Sequence, residues 1–375
     1  MAGPEPRRIV VRGVNWLGDA VMTTPALQRL REVKPGAHIT LLTPAKLADI
    51  WRQHPALDAV ETFAEGESVW SVGGRLRAGN FDLGLVLPNS PRSALEIRLT
   101  GIPQRVGYAG PWRNWLLTQA ISGRPGAVTM HKRSPSEINQ LIKKGAPAAP
   151  VIQPANAHHI HQYLHLTAAL GAKAEPLPPR LTVPDADAAQ FADKFLFANG
   201  SNKSMVWLGL NAGAEYGPAK RWPEERFIEA ARQIQQRLKC GWLVFGLKNE
   251  QDAAARIVEG IKRAAADGNS PVINLAGRTS LGELCAGLKL CRGLLTNDSG
   301  PMHVAAALGT RVVALFGSTS PELTGPGLPG DTQHQLLRAN VPCSPCFLRE
   351  CPIDFRCMNG ISVERAVEAV LRAVG

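Results

Sequence analysis

Short apolar runs end in polar turns and pass into helical stretches along most of the chain, and this rhythm leaves few folds open. RIVVR at 8–12 precedes the loop GVNWLG, and HITLLT at 38–43 precedes a helical stretch around 45–53. LGLVL at 83–87 ends in Pro88-Asn89-Ser90. The pattern restarts with MVWLGL at 205–210, WLVFG at 242–246, a strand-like 272–275 and RVVALF at 311–316. Strands alternating with helices predict parallel sheets of the Rossmann type. Ligands of such sheets bind beyond the carboxyl ends of the strands, so function is sought in the turns.

Two such domains are expected. The chain has 375 residues, more than one core usually serves. Residues 174–185 hold four prolines without apolar periodicity, which reads as a linker. The expected layout is a first Rossmann-like domain over 1–180, a linker and helix over 181–204, a second Rossmann-like domain over 205–360 and a terminal helix over 361–375. Ser362 caps that last helix, with Val363, Val367, Val370, Leu371 and Val374 on one face. Residues 123–161 read as a long surface loop with one short helix. His158, His159, His161 and His165 lie near no carboxylate or thiol in sequence, and read as a polar helix start rather than a metal site. Asp185-Ala-Asp187 has the D-x-D pattern of some metal-dependent transferases, but it follows Pro184 and opens a helix, so N-capping is the simpler reading.

The net charge is +11 and unevenly spread. Residues 1–185 carry 21 Lys and Arg against 13 Asp and Glu, net +8, leaving +3 for the remainder. An anionic partner for the first half follows: a phosphorylated substrate, an acidic membrane surface or nucleic acid. No basic low-complexity tail or nucleic-acid signature is present, which ranks nucleic acid last. No apolar run reaches the roughly 20 residues of a bilayer span. The N-terminus lacks the apolar core of a secretion signal, and a cytoplasmic location is expected.

Familiar cofactor motifs are missing. Gly13 and Gly18 are separated by four residues, so this is not G-x-G-x-x-G, and no G-K-[ST] occurs. The turns themselves are richer. In LLTNDSGPMHVAAALG at 294–309, Thr296, Asn297, Asp298, Ser299 and Gly300 lead into a small-residue helix with His303 on its first turn. A helix N-terminus offers N–H groups to an anion, although Asp and Ser there also serve as ordinary caps. NAGAEYGPAKRWP at 211–223 brings Gly213, Lys220 and Arg221 to a second helix start, where a lysine can neutralise a departing diphosphate. A solvated basic pair is the plainer reading of that loop. Asp19 stands at the first loop as either a helix cap or a base.

GVNWLGDAVMTTPAL, LPNSPRSALEIRLTGIPQRVGY, NAGAEYGPAKRWP and LLTNDSGPMHVAAALGTRVVALFGSTSPE occur in one order from about residue 8 to 326. Together they resemble the ADP-heptose:lipopolysaccharide heptosyltransferases, nearest to the branch that adds the second heptose. The resemblance implies a GT-B fold, two Rossmann-like domains facing across a cleft, and an inverting transfer without metal. The donor would be ADP-heptose and the acceptor heptosyl-Kdo2-lipid A, with another core sugar as acceptor, or a non-catalytic nucleotide-sugar binder, as alternatives. By matching positions Asp19 would be the general base and Lys220 the support of the diphosphate. Gly213, Arg221, Thr296, Asn297, Asp298, Ser299, Gly300 and His303 would bind the donor, with Glu250 and Thr279 near ribose and adenine on looser alignment. Asn15, Trp16, Asn89, Ser90, Arg92 and Arg113 would meet the acceptor. Arg92, Arg98, Arg105, Arg113 and Arg124 face a single acid, Glu96, in that region, which suits a polyanionic lipid. A basic face would also hold such an enzyme on the cytoplasmic side of the anionic inner membrane.

One block departs from the best-known pattern. Cys343, Cys346, Cys351 and Cys357 form C-x-x-C-x4-C-x5-C. The spacing is compatible with structural zinc or an iron–sulfur centre, and more readily with a compact loop of unligated or redox-active thiols. No catalytic role is expected of it.

Overall fold

The computed structural model describes residues 6–145, 153–199, 204–264 and 270–375. The first sheet contains β1 (Arg8–Arg12), β2 (His38–Pro44), β3 (Ala59–Phe63), β4 (Leu83–Val86), β5 (Gln104–Tyr108) and β6 (Gln119–Ile121). The second contains β7 (Trp207–Asn211), β8 (Gly241–Phe245), β9 (Val272–Asn274), β10 (Gly293–Asn297), β11 (Arg311–Phe316) and β12 (Gln335–Arg338). Their orders are β3-β2-β1-β4-β5-β6 and β12-β11-β10-β7-β8-β9. Every pairing is parallel, with Ile9 opposite Ile39 on one side and Leu83 on the other. Both orders are the doubly wound Rossmann order. The architecture therefore repeats although the sequence does not.

The central strands are legible as apolar runs because helices cover both faces. Ile9, Val10 and Val11 of β1 are fully buried, as is Leu210 of β7. In the first sheet Val10 and Val86 pack with Ala94 and Ile97 from the helix Pro91–Leu99. In the second, Leu208, Leu210, Val244 and Leu295 pack under Phe227, Ile234 and Ile257, and Val367 and Val370 of the terminal helix Val363–Val374 join them. Ser362 caps that helix through Arg365 N–H, as expected.

Contacts divide the chain into a unit of residues 1–127 and 159–182 and a second of 128–158 and 183–375. The stretch read as a surface loop of the first domain thus sends 128–158 to the second unit. Within it, Pro135–Lys144 is a helix with a complete capping box between Ser134 and Glu137. Its buried Ile138 packs on Cys343 and Cys346. Part of that loop, residues 146–152, lies outside the described residues.

Three local expectations change. The single helix expected from Asp19 is two, Leu17–Met22 and Thr24–Val33, because Pro25 begins a new first turn. The stretch 45–53 winds as a 3-10 helix, Ala45–Trp51. In the helix Asp185–Phe191 the N-cap is Pro184 with no side-chain capping bond. Asp185 instead accepts from Lys289 at 2.9 Å.

Candidate functional site

A doubly wound sheet opens a crevice where its strand order reverses, between β1 and β4 in the first unit and between β7 and β10 in the second. The four sequence blocks are the loops at those two points.

In the second unit, Asn211 ends β7 fully buried, and its amide donates to the hydroxyls of Thr296 (3.3 Å) and Ser299 (3.1 Å) and to Gly213 O (3.3 Å). Asn297 ties the same two loops: its Nδ2 donates to Ala212 O at 2.6 Å and its Oδ1 accepts from Trp222 N–H at 3.1 Å. The turn into the helix Gly300–Ala307 is therefore locked to the turn after β7 by side-chain amides. Ser299 is the N-cap residue without capping through its side chain, which is occupied by Asn211 and Thr296. His303, on the first turn, is buried.

Lys220 is not a solvated cation. Its Nζ lies 2.6 Å from Asp298 Oδ2 and 4.8 Å from the centre of the Tyr216 ring. Thr319 donates to the same Asp298 oxygen at 2.5 Å. Arg349 covers the Tyr216 ring at 5.2 Å, and Tyr216 donates to Phe347 O at 2.7 Å. Lys220 and Asp298, 78 residues apart, are thus one ion pair, with side chains 13% and 4% exposed.

Glu250 lies beside the same loop. It closes a helix start through Leu247 N–H (2.8 Å) and stands 3.9 Å from Arg221. A Cβ on Gly213 would fall 2.1 Å from the Glu250 carboxylate, so the loop passes there only as glycine. Gly213, Arg221 and Glu250 line a pocket of ≈ 590 Å³ floored by Val244 and Phe245. Thr279 lies after β9, just before Ser280 caps the helix Leu281–Leu290.

In the first unit, Asp19 lies in the first turn of Leu17–Met22, half-buried, and its Oδ1 accepts from the Tyr163 hydroxyl at 3.2 Å. Asn15 and Trp16 are exposed on the loop before it, and Lys46 sits 5.7 Å above the Trp16 ring. The loop is anchored below by Arg12, which donates to Asn15 Oδ1 at 3.0 Å and to the carbonyl of Gly13. Arg12 is itself buried and bound to Glu96 at 2.7 Å. Burial lowers the Arg12 pKa, and the Glu96 charge opposes that shift.

The arginine face expected for the acceptor is partly dismantled. Glu96 is fully buried as the counter-ion of Arg12, and Arg92 reaches it from outside at 3.1 Å. Arg105 binds the backbone carbonyls of Leu116 and Ile102. Arg113 is 1% exposed and donates to Pro88 O at 3.0 Å, while its Nε and second terminal nitrogen have no partner among the described residues. A buried guanidinium with idle donors beside the Pro88–Ser90 loop suits an anion. Ser90 caps Pro91–Leu99 through Ser93 N–H, and Asn89 is exposed beside it.

Of the four neighbouring cysteines, Cys343, Cys346 and Cys357 are buried and Cys351 is half-buried. All are free thiols, and among the described residues no three His, Cys, Asp or Glu side chains are arranged to hold a metal ion. His158 leaves the histidine group altogether, bonding Gly325 O at 3.0 Å in the second unit.

Sequence reasoning missed Asn211, Thr319, Tyr216 and Tyr163. Asn211 and Thr319 carried a signal, since each sits where an apolar strand gives way to a glycine-bearing turn. Tyr163 carried none.

Residues 148–355 match the model of glycosyltransferase family 9 (heptosyltransferase). Lipopolysaccharide heptosyltransferase 2 of Escherichia coli K12 is 29% identical over 334 residues, 85% of each chain. The Salmonella typhimurium heptosyltransferase 2 is 30% identical over 330 residues, again 85% of each. Among solved structures, E. coli ADP-heptose lps heptosyltransferase II aligns with a TM-score of 0.75 at 26% identity, covering 98% of both chains.

Proposed function

This chain belongs to glycosyltransferase family 9, the heptosyltransferases, and on that premise we propose that it transfers L-glycero-D-manno-heptose from ADP-heptose to heptosyl-Kdo2-lipid A. It is a lipopolysaccharide heptosyltransferase similar to heptosyltransferase II. The observation that supports a transfer reaction is the chemistry of the two crevices. One holds a carboxylate with a neutral hydrogen-bond donor, Asp19, and the other a lysine at a glycine-bearing loop, Lys220.

In this reading Asp19 takes the proton of the acceptor hydroxyl as its oxygen bonds to the anomeric carbon of the heptose. The bond from that carbon to the diphosphate breaks on the opposite face, which inverts the centre, and ADP leaves with the electron pair. Lys220 exchanges part of its pairing with Asp298 for the diphosphate and offsets its growing charge. Backbone N–H groups at the start of Gly300–Ala307 supply further donors. Gly213, Arg221 and Glu250 border the nucleoside, with Thr279 beyond them. On the acceptor side the idle donors of Arg113 receive a carboxylate or phosphate, with Arg92, Asn89, Ser90, Asn15 and Trp16 around the same crevice.

Among the described residues no helix is long and apolar enough to cross a membrane. A lipid-linked acceptor then requires peripheral docking, for which the positive first half at the anionic cytoplasmic face is suited. The reaction as drawn has no metal step. Structural zinc or iron–sulfur at Cys343, Cys346, Cys351 and Cys357 rests on spacing alone, and metal analysis of the purified protein tests it.

ADP release measured with Kdo2-lipid A and with heptosyl-Kdo2-lipid A as acceptors separates the readings. Turnover with the second alone is expected. Turnover with the first alone assigns the enzyme to the preceding step, and turnover with neither, despite ADP-heptose binding, supports a binding module.

A further inference from the structure

Asp19 is reached by a helix that the sequence gives no reason to join to it. Ile160–Ala168 brings Tyr163 to the carboxylate from 144 positions away. Tyr163 is 9% exposed, and its hydroxyl donates to Asp19 Oδ1 at 3.2 Å. His159, the residue before that helix, is four positions earlier and so lies near the same face as Tyr163. We propose that Tyr163 is a positioning residue for this reaction, holding the Asp19 carboxylate in the orientation in which it receives the acceptor proton, with His159 at its side. The proposal rests on the reading of Asp19 as the base.

The protonation states agree with this geometry. Burial, reinforced by the Asp19 charge, pushes the Tyr163 phenol well above its ordinary range, so it remains a donor at every working pH. Burial lowers the His159 pKa while the Asp19 charge opposes it. Tyr108 stands beyond Tyr163, with Arg124 acting on Tyr108 in turn. A phenol that donates without carrying charge orients a carboxylate and leaves it a competent base. A lysine or arginine in its place would suppress its proton affinity far more. Tyr108 fixes the same helix from the sheet side, donating to Gln162 O at 2.7 Å.

Tyr163→Phe removes one hydroxyl and keeps the ring in place. Turnover is expected to fall about tenfold or more, with KM for ADP-heptose unchanged. The acidic limb of the kcat–pH profile should move up by about one unit, because the carboxylate has lost a donor that favoured its charged form. In the Asp19→Asn background, Tyr163→Phe should cost markedly less stability in urea than in the wild type. Lost turnover with an unmoved acidic limb makes Tyr163 merely structural, and unchanged turnover also overturns the proposal. If Asp19→Asn itself retains turnover, the base reading fails and the proposal with it. If Asp19→Asn is inactive while Tyr163→Phe leaves the limb in place, the positioning role alone is lost.

Discussion

The two crevices share one strand order and hold their acids in opposite ways. At the first, Asp19 meets an uncharged phenol on a helix that arrives from elsewhere in the chain. At the second, Asp298 is bound by a cation and a hydroxyl from loops of its own sheet. In the proposed reaction, the same fold would use the first of these carboxylates as a proton acceptor and the lysine of the second as a poised cation. Buried charge is distributed differently too. The first unit hides its ion pair beneath the loop, as Arg12 with Glu96, and the second places its pair in the crevice.

Substitution breaks this contrast in graded steps. Asp19→Ala should reduce turnover by about 10³-fold, roughly 4 kcal/mol in the barrier, while ADP binding measured by calorimetry stays as it was. Unchanged turnover would remove the first crevice from the chemistry. Glu96→Gln leaves Arg12 buried without a counter-charge and should cost about 3 kcal/mol in urea unfolding. Its activity should fall with the disordering of the Asn15–Asp19 loop. Lys220→Ala should weaken ADP and lower turnover by about 10²-fold, roughly 3 kcal/mol in the barrier, and Lys220→Arg should recover only part of it. Equal loss of stability and no loss of ADP affinity would make Lys220 a structural ion-pair partner. The smallest effect is expected at Thr319→Val, about 1 kcal/mol, through one lost bond to Asp298.

Acid sharpens the contrast further. His54 in the first unit is buried, and burial lowers its pKa to about 4. The unfolded chain therefore binds a proton near 6.5 that the folded state refuses until about 4. Its contribution to stability is present above 6.5 and is lost as pH falls across that window, on the order of 3 kcal/mol at most. Amide exchange at pH 5 should open the strands beside Trp51 and His54, and His54→Gln should flatten that dependence.

The loops after β1, β4, β7 and β10 were legible because each closes a fully buried parallel strand. Such strands are continuous apolar runs, and the polar residues that interrupt them stand out. The edge strands of the first sheet were not legible. Ala59–Phe63 is half-buried, Gln119–Ile121 is mostly exposed, and both mix polar with apolar residues as sheet margins do. The stretch 123–161 is, as read, a mostly exposed loop with one short helix, but its middle belongs to the second unit; a capped amphipathic helix says that it has a buried side, not on which unit.

By itself the sequence determined the Rossmann rhythm, the two units and the family, since these follow from local periodicity and from motifs contiguous in the chain. It also marked Asp19, Lys220 and Asp298 as chemically interesting residues. Only the tertiary structure decided what each is paired with. Lys220 is 78 residues from Asp298, Arg12 is 84 from Glu96 and Asp19 is 144 from Tyr163. Which of these side chains meet depends on strand order and on which helix covers which strand end. No short-range pattern encodes that, yet it determines whether a carboxylate is a base, a cap or half of an ion pair.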